Sequence, residues 1–322
     1  MTLQKPPRRE QPSRVAGRVL GLVIMASLAG AAIYTAVIED RVRLTERIRA
    51  IDVERPDSVP VNDLEIGVTE DSRGQLGVVI LHDDVITGSL TLDAVSAAIG
   101  GDYRRVRVDL PGFGLSTRVT TGGPRQTAAG MGDVVAEVVS ARFSSPVVLV
   151  GVGFGGEVAA EVALSYPELV RALVMVDVDF DRPTSLETSL QTLPWLGKAA
   201  TYTWETGGRF ALDHWSPFCD QGGWCPTAEE IGRRAEIIAI QGTTDSIHAF
   251  RNTLSAALAP SNLADIAAPI AYVWSTEGPV PRSSVDDILE DVPTMTIVES
   301  DTFQAHLEDP EAVAEAVRSV EA

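Results

Sequence analysis

Between residues 76 and 320 the apolar positions come in two rhythms. Leu76–Leu81 (LGVVIL) contains no polar residue, and Val147–Val150 and Ala172–Val176 are apolar without a break; runs this short and this continuous predict strands buried on both faces. Val106–Leu110 (VRVDL) predicts another. Elsewhere the spacing is helical. Val158 and Val162 stand four apart behind the Val147–Val150 run, and Val313, Val317 and Val320 form a stripe behind Asp309, a suitable N-cap, and Pro310, suited to a first helical position. Alternation of this kind predicts an α/β domain with a mostly parallel central sheet and helices on both faces. From about 181 to 265 the strand rhythm stops. Helix-like runs such as Ala228–Ile240 replace it, together with four of the five tryptophans (195, 204, 215 and 224), which are expected to build that segment's own small core.

The central run turns a glycine-rich corner, Gly151-Val152-Gly153-Phe154-Gly155-Gly156, and then enters the Val158 helix. Two chemistries use a strand, tight turn and helix of this form. One is the G-x-S-x-G nucleophile elbow, with Gly153 where the serine would stand. The other is the G-x-G-x-x-G dinucleotide fingerprint on Gly151, Gly153 and Gly156, with Asp177 at the end of the next strand as the candidate ribose-binding acid.

Taken in order, LHDD (81–84), DLPGFGLS (109–116), GVGFGG (151–156), YPELVRALV (166–174), PIAYVW (269–274) and HLEDPE (306–311) resemble the α/β-hydrolase family over roughly residues 70 to 320. The resemblance implies an α/β-hydrolase fold whose inserted segment, about 181–265, is a helical cap over the pocket. It also locates each catalytic position. The nucleophile position falls on Gly153, which has no side chain to attack with. The acid position, by the family's W-G-x-x-D pattern, falls on Gly278, with Glu277 beside it; Asp177, Asp179 and Asp181 are acids at the place some relatives use instead, and read on their own as solvated loop residues. Counting back from Glu308 puts the base at Phe303. His306 matches a second histidine of that motif, and a shortened loop would bring it to the site as a substitute base. The oxyanion-hole donors should be the backbone N–H groups of Phe154 and Asp84, where the carboxylates of Asp83 and Asp84 would repel a developing oxyanion. Loss of nucleophile, acid and base together resembles the N-myc downstream-regulated proteins, relatives with a replaced nucleophile.

Charge and cysteines bear on location. Residues 1–49 carry nine Lys+Arg and four Asp+Glu, net +5, which leaves 17 basic and 41 acidic residues in the remainder, net −24. So acidic a domain argues against a nucleic-acid partner. Residues 19–38 are uncharged, and twenty residues at 1.5 Å each cross a bilayer core. Cys219 and Cys225 lie six apart, a spacing suited to a small disulfide outside the cytoplasm, and two cysteines are too few for a structural zinc site.

These readings predict a cytoplasmic tail (1–18), a single transmembrane anchor (19–38), a juxtamembrane linker (39–70) and an extracytoplasmic α/β-hydrolase-like domain (71–322) in the cell membrane. No cofactor or metal is expected. Three functions compete: binding of a small ligand or protein partner without serine hydrolysis; an enzyme using His306 with Glu277 or Asp179 on a small ester or amide; and a dinucleotide-binding protein using the Gly151–Gly156 corner.

Overall fold

A computed structural model describes residues 57–180, 186–193, 196–202, 225–254 and 259–321, with Gly30, Ile33 and Val37. The chain enters the sheet through a hairpin, β1 (Ser58–Val61) and β2 (Leu64–Glu70), in which Val61 faces Leu64 and Asn62 adopts φ 54°. Asn tolerates that left-handed turn geometry, which matches strand twist. Val59, Val61, Leu64, Ile66 and Val68 are buried. The last part of the stretch expected as a linker, residues 58–70, thus forms two edge strands of the sheet.

β3 (Leu76–Leu81), β4 (Tyr103–Val108), β5 (Val147–Val152), β6 (Val170–Val176), β7 (Ile270–Ser275) and β8 (Thr296–Ser300) complete an eight-stranded sheet in the order β1-β2-β4-β3-β5-β6-β7-β8. From β4 onward every pairing is parallel, and β2 joins β4 antiparallel. Both faces are covered, which is why the central strands β3 and β5 are apolar throughout. Val78, Ile80, Val148 and Val150 pack under α1 (Asp93–Ile99) and the last helix, while Val79, Leu81 and Leu149 face the opposite layer, α2 (Ala128–Arg142) and α3 (Phe154–Ser165).

Four helices are described between β6 and β7: α4 (Leu186–Gln191), α5 (Gly197–Thr201), α6 (Ala228–Ile238) and α7 (Thr243–Thr253). They occupy the expected cap, and Thr227 with Glu230 forms a capping box at the start of α6. The four cap tryptophans, Asp181 and Cys219 lie outside the described residues; Cys225 is disulfide-bonded. After β7 come α8 (Arg282–Asp291), α9 (Ala305–Glu308) and α10 (Pro310–Ser319), whose N-cap is Asp309 as the sequence suggests. Among the described residues no helix is long and apolar enough to cross a membrane. The expected span 19–38 lies outside them except for Gly30, Ile33 and Val37, which are helical and exposed.

One buried acid organises the turn after β4. Asp109 accepts the N–H of Ser89 (2.7 Å) on one oxygen and that of Leu115 (2.8 Å) on the other, and its carboxylate touches Gly114, which holds φ 48°. Arg118 then donates to the carbonyls of Phe113, Gly114 and Ser116 and, through Nε, to Thr243 at the start of α7, fastening the cap to the turn. Asp109→Ala strands two N–H donors, Ser89 fully buried and Leu115 partly so. Urea denaturation should show a loss on the order of 2–4 kcal/mol; a loss below about 0.5 kcal/mol would remove Asp109 from this role.

Candidate functional site

β3 and β5 are neighbours, with Leu81 beside Gly151, although β3 connects onward to β4 on its other side. Their carboxyl ends therefore diverge at a topological switch point, where a parallel sheet opens a crevice. Asp83 follows β3 and Gly153 follows β5 into that crevice.

Gly153 has φ 50° and ψ −121°, and its N–H is fixed by Val176 O at 2.9 Å. Few side-chain-bearing residues take this conformation. α3 starts at the next residue and runs so close to β3 that a Cβ on Gly155 would lie 2.4 Å from His82 O. The sharp corner and the small residues around it have one cause: the helix must leave the sheet immediately, against the neighbouring strand.

Into this corner turns the carboxylate of Asp83. Its Oδ1 accepts the backbone N–H of Phe154 at 2.7 Å and that of Asp84 at 2.8 Å. A Cβ at Gly153 would lie 2.2 Å from Oδ1 and 2.6 Å from Oδ2, so the carboxylate fills the volume a nucleophile's side chain would need. Among the described residues Oδ2 has no hydrogen-bond partner, and Asp83 and Gly153 both keep partial solvent exposure. Burial, with the charge of Asp84 in second place, pushes the Asp83 carboxyl up to about 6; the two N–H groups and Arg251 pull the other way.

The surroundings hold Asp83 in place. His82 is fully buried; its Nδ1 donates to Asp83 O (2.5 Å) and its Nε2 accepts the N–H of Leu110 (2.9 Å), which fixes a neutral ring whose pKa burial lowers. Asp84 Oδ2 is paired with Arg251 of α7. Rings of His82, Phe113, Phe250 and Phe154 follow one another edge to face at centroid distances of 5.0 to 5.5 Å, joining the β3 loop, the β4 turn, the cap and the start of α3.

A second corner lies beyond β7. Asp177, at φ 50°, accepts Ser275 N–H (2.8 Å) and Ser275 Oγ–H (2.7 Å), and Ser275 Oγ accepts the N–H of Ala305 (2.8 Å). Burial raises the Asp177 pKa. Gly278 and Phe303 meet here, a Cβ on the glycine lying 2.8 Å from Phe303 O. His306 is buried on α9, which packs against α1, α10 and β7; its Nδ1 has no partner, and burial brings its pKa down to about 4. Glu277 is exposed and Asp179 partly buried, and neither hydrogen-bonds His306. Among the described residues no group of three or more His, Cys, Asp or Glu could hold a metal ion.

The model of the alpha/beta hydrolase family matches residues 78–316. The chain belongs to that family. No curated protein matches the chain. Among solved structures it is similar to a membrane phospholipase A described as a bacterial virulence factor (20% identity, TM-score 0.61, 94% of this chain and 97% of that one). It is also similar to a hydrolase from Pseudomonas aeruginosa (17% identity, TM-score 0.64, 84% and 100%). At these identities the likeness is one of fold.

Of the residues singled out in the sequence, Gly153 stands at the corner between β5 and α3, Gly278 lies beside Phe303, and the N–H groups of Phe154 and Asp84 converge on Asp83 Oδ1. Asp83 itself accepts the two N–H groups expected to serve as oxyanion-hole donors. Asp177 corrects the expectation of a solvated acid: it ties β6 to β7 and α9. The dinucleotide reading meets a carboxylate at the N-terminus of α3, where a pyrophosphate would have to bind. The sequence signal for Asp83 was an acid where relatives carry a small residue, next to an elbow without a side chain. Ser275 and Arg251 carried none, and Asp177 was marked only as an acid at the end of the strand.

A carboxyl at about 6 against 3.8 when unfolded holds an extra proton in the folded state between those values. Its stabilisation is complete below pH 4 and lost as pH rises through 6, up to about 3 kcal/mol. Denaturation of wild type and Asp83→Asn from pH 3.5 to 7.5 should show wild type losing stability relative to the variant as pH rises; a constant difference would place Asp83 in an ordinary aqueous environment.

Proposed function

We propose that this protein is a membrane-anchored member of the α/β-hydrolase family that binds a ligand or partner outside the cytoplasm and does not carry out Ser-His-Asp hydrolysis. One observation carries the reading: the Asp83 carboxylate takes both oxyanion-hole donors and the space over Gly153. A substrate carbonyl finds neither a nucleophile to attack it nor a free donor to stabilise the charge. His306, unpaired and low in pKa, does not replace the lost base. The uncharged stretch 19–38 and the disulfide at Cys225 support the anchored, extracytoplasmic placement.

Neither the wild-type protein nor Gly153→Ser should hydrolyse p-nitrophenyl butyrate above the rate with Asp83→Asn, and neither should react with a fluorophosphonate probe. The serine would displace Asp83 from its two N–H groups at a positive φ, costing about 1–3 kcal/mol in urea denaturation, with no base to activate it. Stoichiometric labelling of wild type, or turnover lost on His306→Ala, would overturn the reading. Protease added to right-side-out spheroplasts should digest the domain while sparing an N-terminal tag; a fully protected domain, or a soluble form starting near Ala32, would overturn the anchor.

A further inference from the structure

Resting on the binding role proposed above, we infer that the cleft floor at Asp83 recognises a ligand through a cationic hydrogen-bond donor, a primary or secondary ammonium, where the family's scaffold ordinarily receives an acyl oxygen.

The argument is one of valence. An oxyanion hole is a pair of N–H donors awaiting an acceptor, and here Asp83 Oδ1 consumes both. What remains open on the floor is the opposite polarity: Oδ2, an acceptor with no hydrogen-bond partner among the described residues, on a partly exposed residue beside a glycine with no side chain to cover it. A carbonyl, carboxylate or phosphate brought there meets a carboxylate oxygen and is repelled. An N–H donor bearing positive charge is attracted and completes the shell of Asp83.

Among the described residues no charged group around Asp83 already plays this part. Arg251, from α7, is the cation on that side, and its guanidinium is paired with Asp84. His82, from β3, has both ring nitrogens engaged and cannot take a second proton without breaking the Leu110 contact. Glu157, on α3, is buried and has a partner of its own. Burial makes the Asp83 charge costly, as its raised pKa shows, and a ligand cation relieves that cost. The net −24 of residues 50–322 attracts cations towards the domain.

Isothermal titration of the full-length protein in non-ionic detergent, with butylammonium, 1-butanol and butanoate as probes, tests this. At pH 7.5 butylammonium should bind saturably and at least roughly ten-fold more tightly than the other two, and Asp83→Asn should remove that preference. In wild type alone, lowering the pH from 7.5 to 5 should weaken butylammonium about ten-fold, because the charged form of Asp83 becomes the minor one. This second measurement requires no variant to fold. Absence of saturable butylammonium binding, equal or tighter binding of butanoate or butanol, unchanged binding by a folded Asp83→Asn protein, or a flat pH response would each overturn the inference. Fluorophosphonate labelling is read separately: labelling overturns the binding role, whereas no labelling with no butylammonium binding overturns only the ligand class.

Discussion

The N–H groups of Phe154 and Asp84 point out of their own secondary structure, one from the first residue of a helix and the other from a loop, so nothing in the sheet can accept from them. Left unpaired in a partly closed crevice, each would cost about 1–3 kcal/mol. A single oxygen of Asp83 satisfies both. Much else hangs on that oxygen. Asp83 follows His82, whose ring bonds hold the loop to the β4 turn; Asp84 ties the loop to the cap through Arg251; and the ring series from His82 to Phe154 packs the same four segments together. The carboxylate sits where sheet, elbow helix and cap converge, and the crevice takes its electrostatic character from it.

The family's hydrolases and this chain share a scaffold whose requirements are backbone requirements. A strand must turn into a helix at Gly153, the helix must close on β3 at Gly155, and the turn after β4 must wrap Asp109. All of these persist here. The side chains that line the crevice are a separate set, and the fold alone does not fix what they do. Gly278 lies against Phe303, and neither carries an ionisable side chain.

Much of the fold could be read from the chain because strands buried on both faces have no room for polar residues: LGVVIL became β3 at its stated limits, and Asp309 with Pro310 opened α10 as expected. The β1–β2 hairpin was legible only as one of two alternatives, linker or first edge strands, because it follows a charged stretch containing Pro56 and Pro60. Gly153 was expected at a strand-to-helix corner and stands at one, because such a corner is a backbone feature that its glycines announce. Asp83 was read as a source of repulsion, since a sequence does not say which way a side chain turns once its neighbour has shrunk to glycine. Asp177 looked like one of several loop acids. Its burial depends on Ser275, nearly a hundred positions away, and no local pattern records that contact.

The overlap between Asp83 and any side chain at position 153 makes the two sites interdependent. On this backbone a serine at 153 is obstructed while Asp83 remains, and removal of Asp83 alone exposes two N–H donors and supplies no side chain at 153. Each change alone is unfavourable, so a side chain at 153 and a smaller or uncharged residue at 83 have to arrive together.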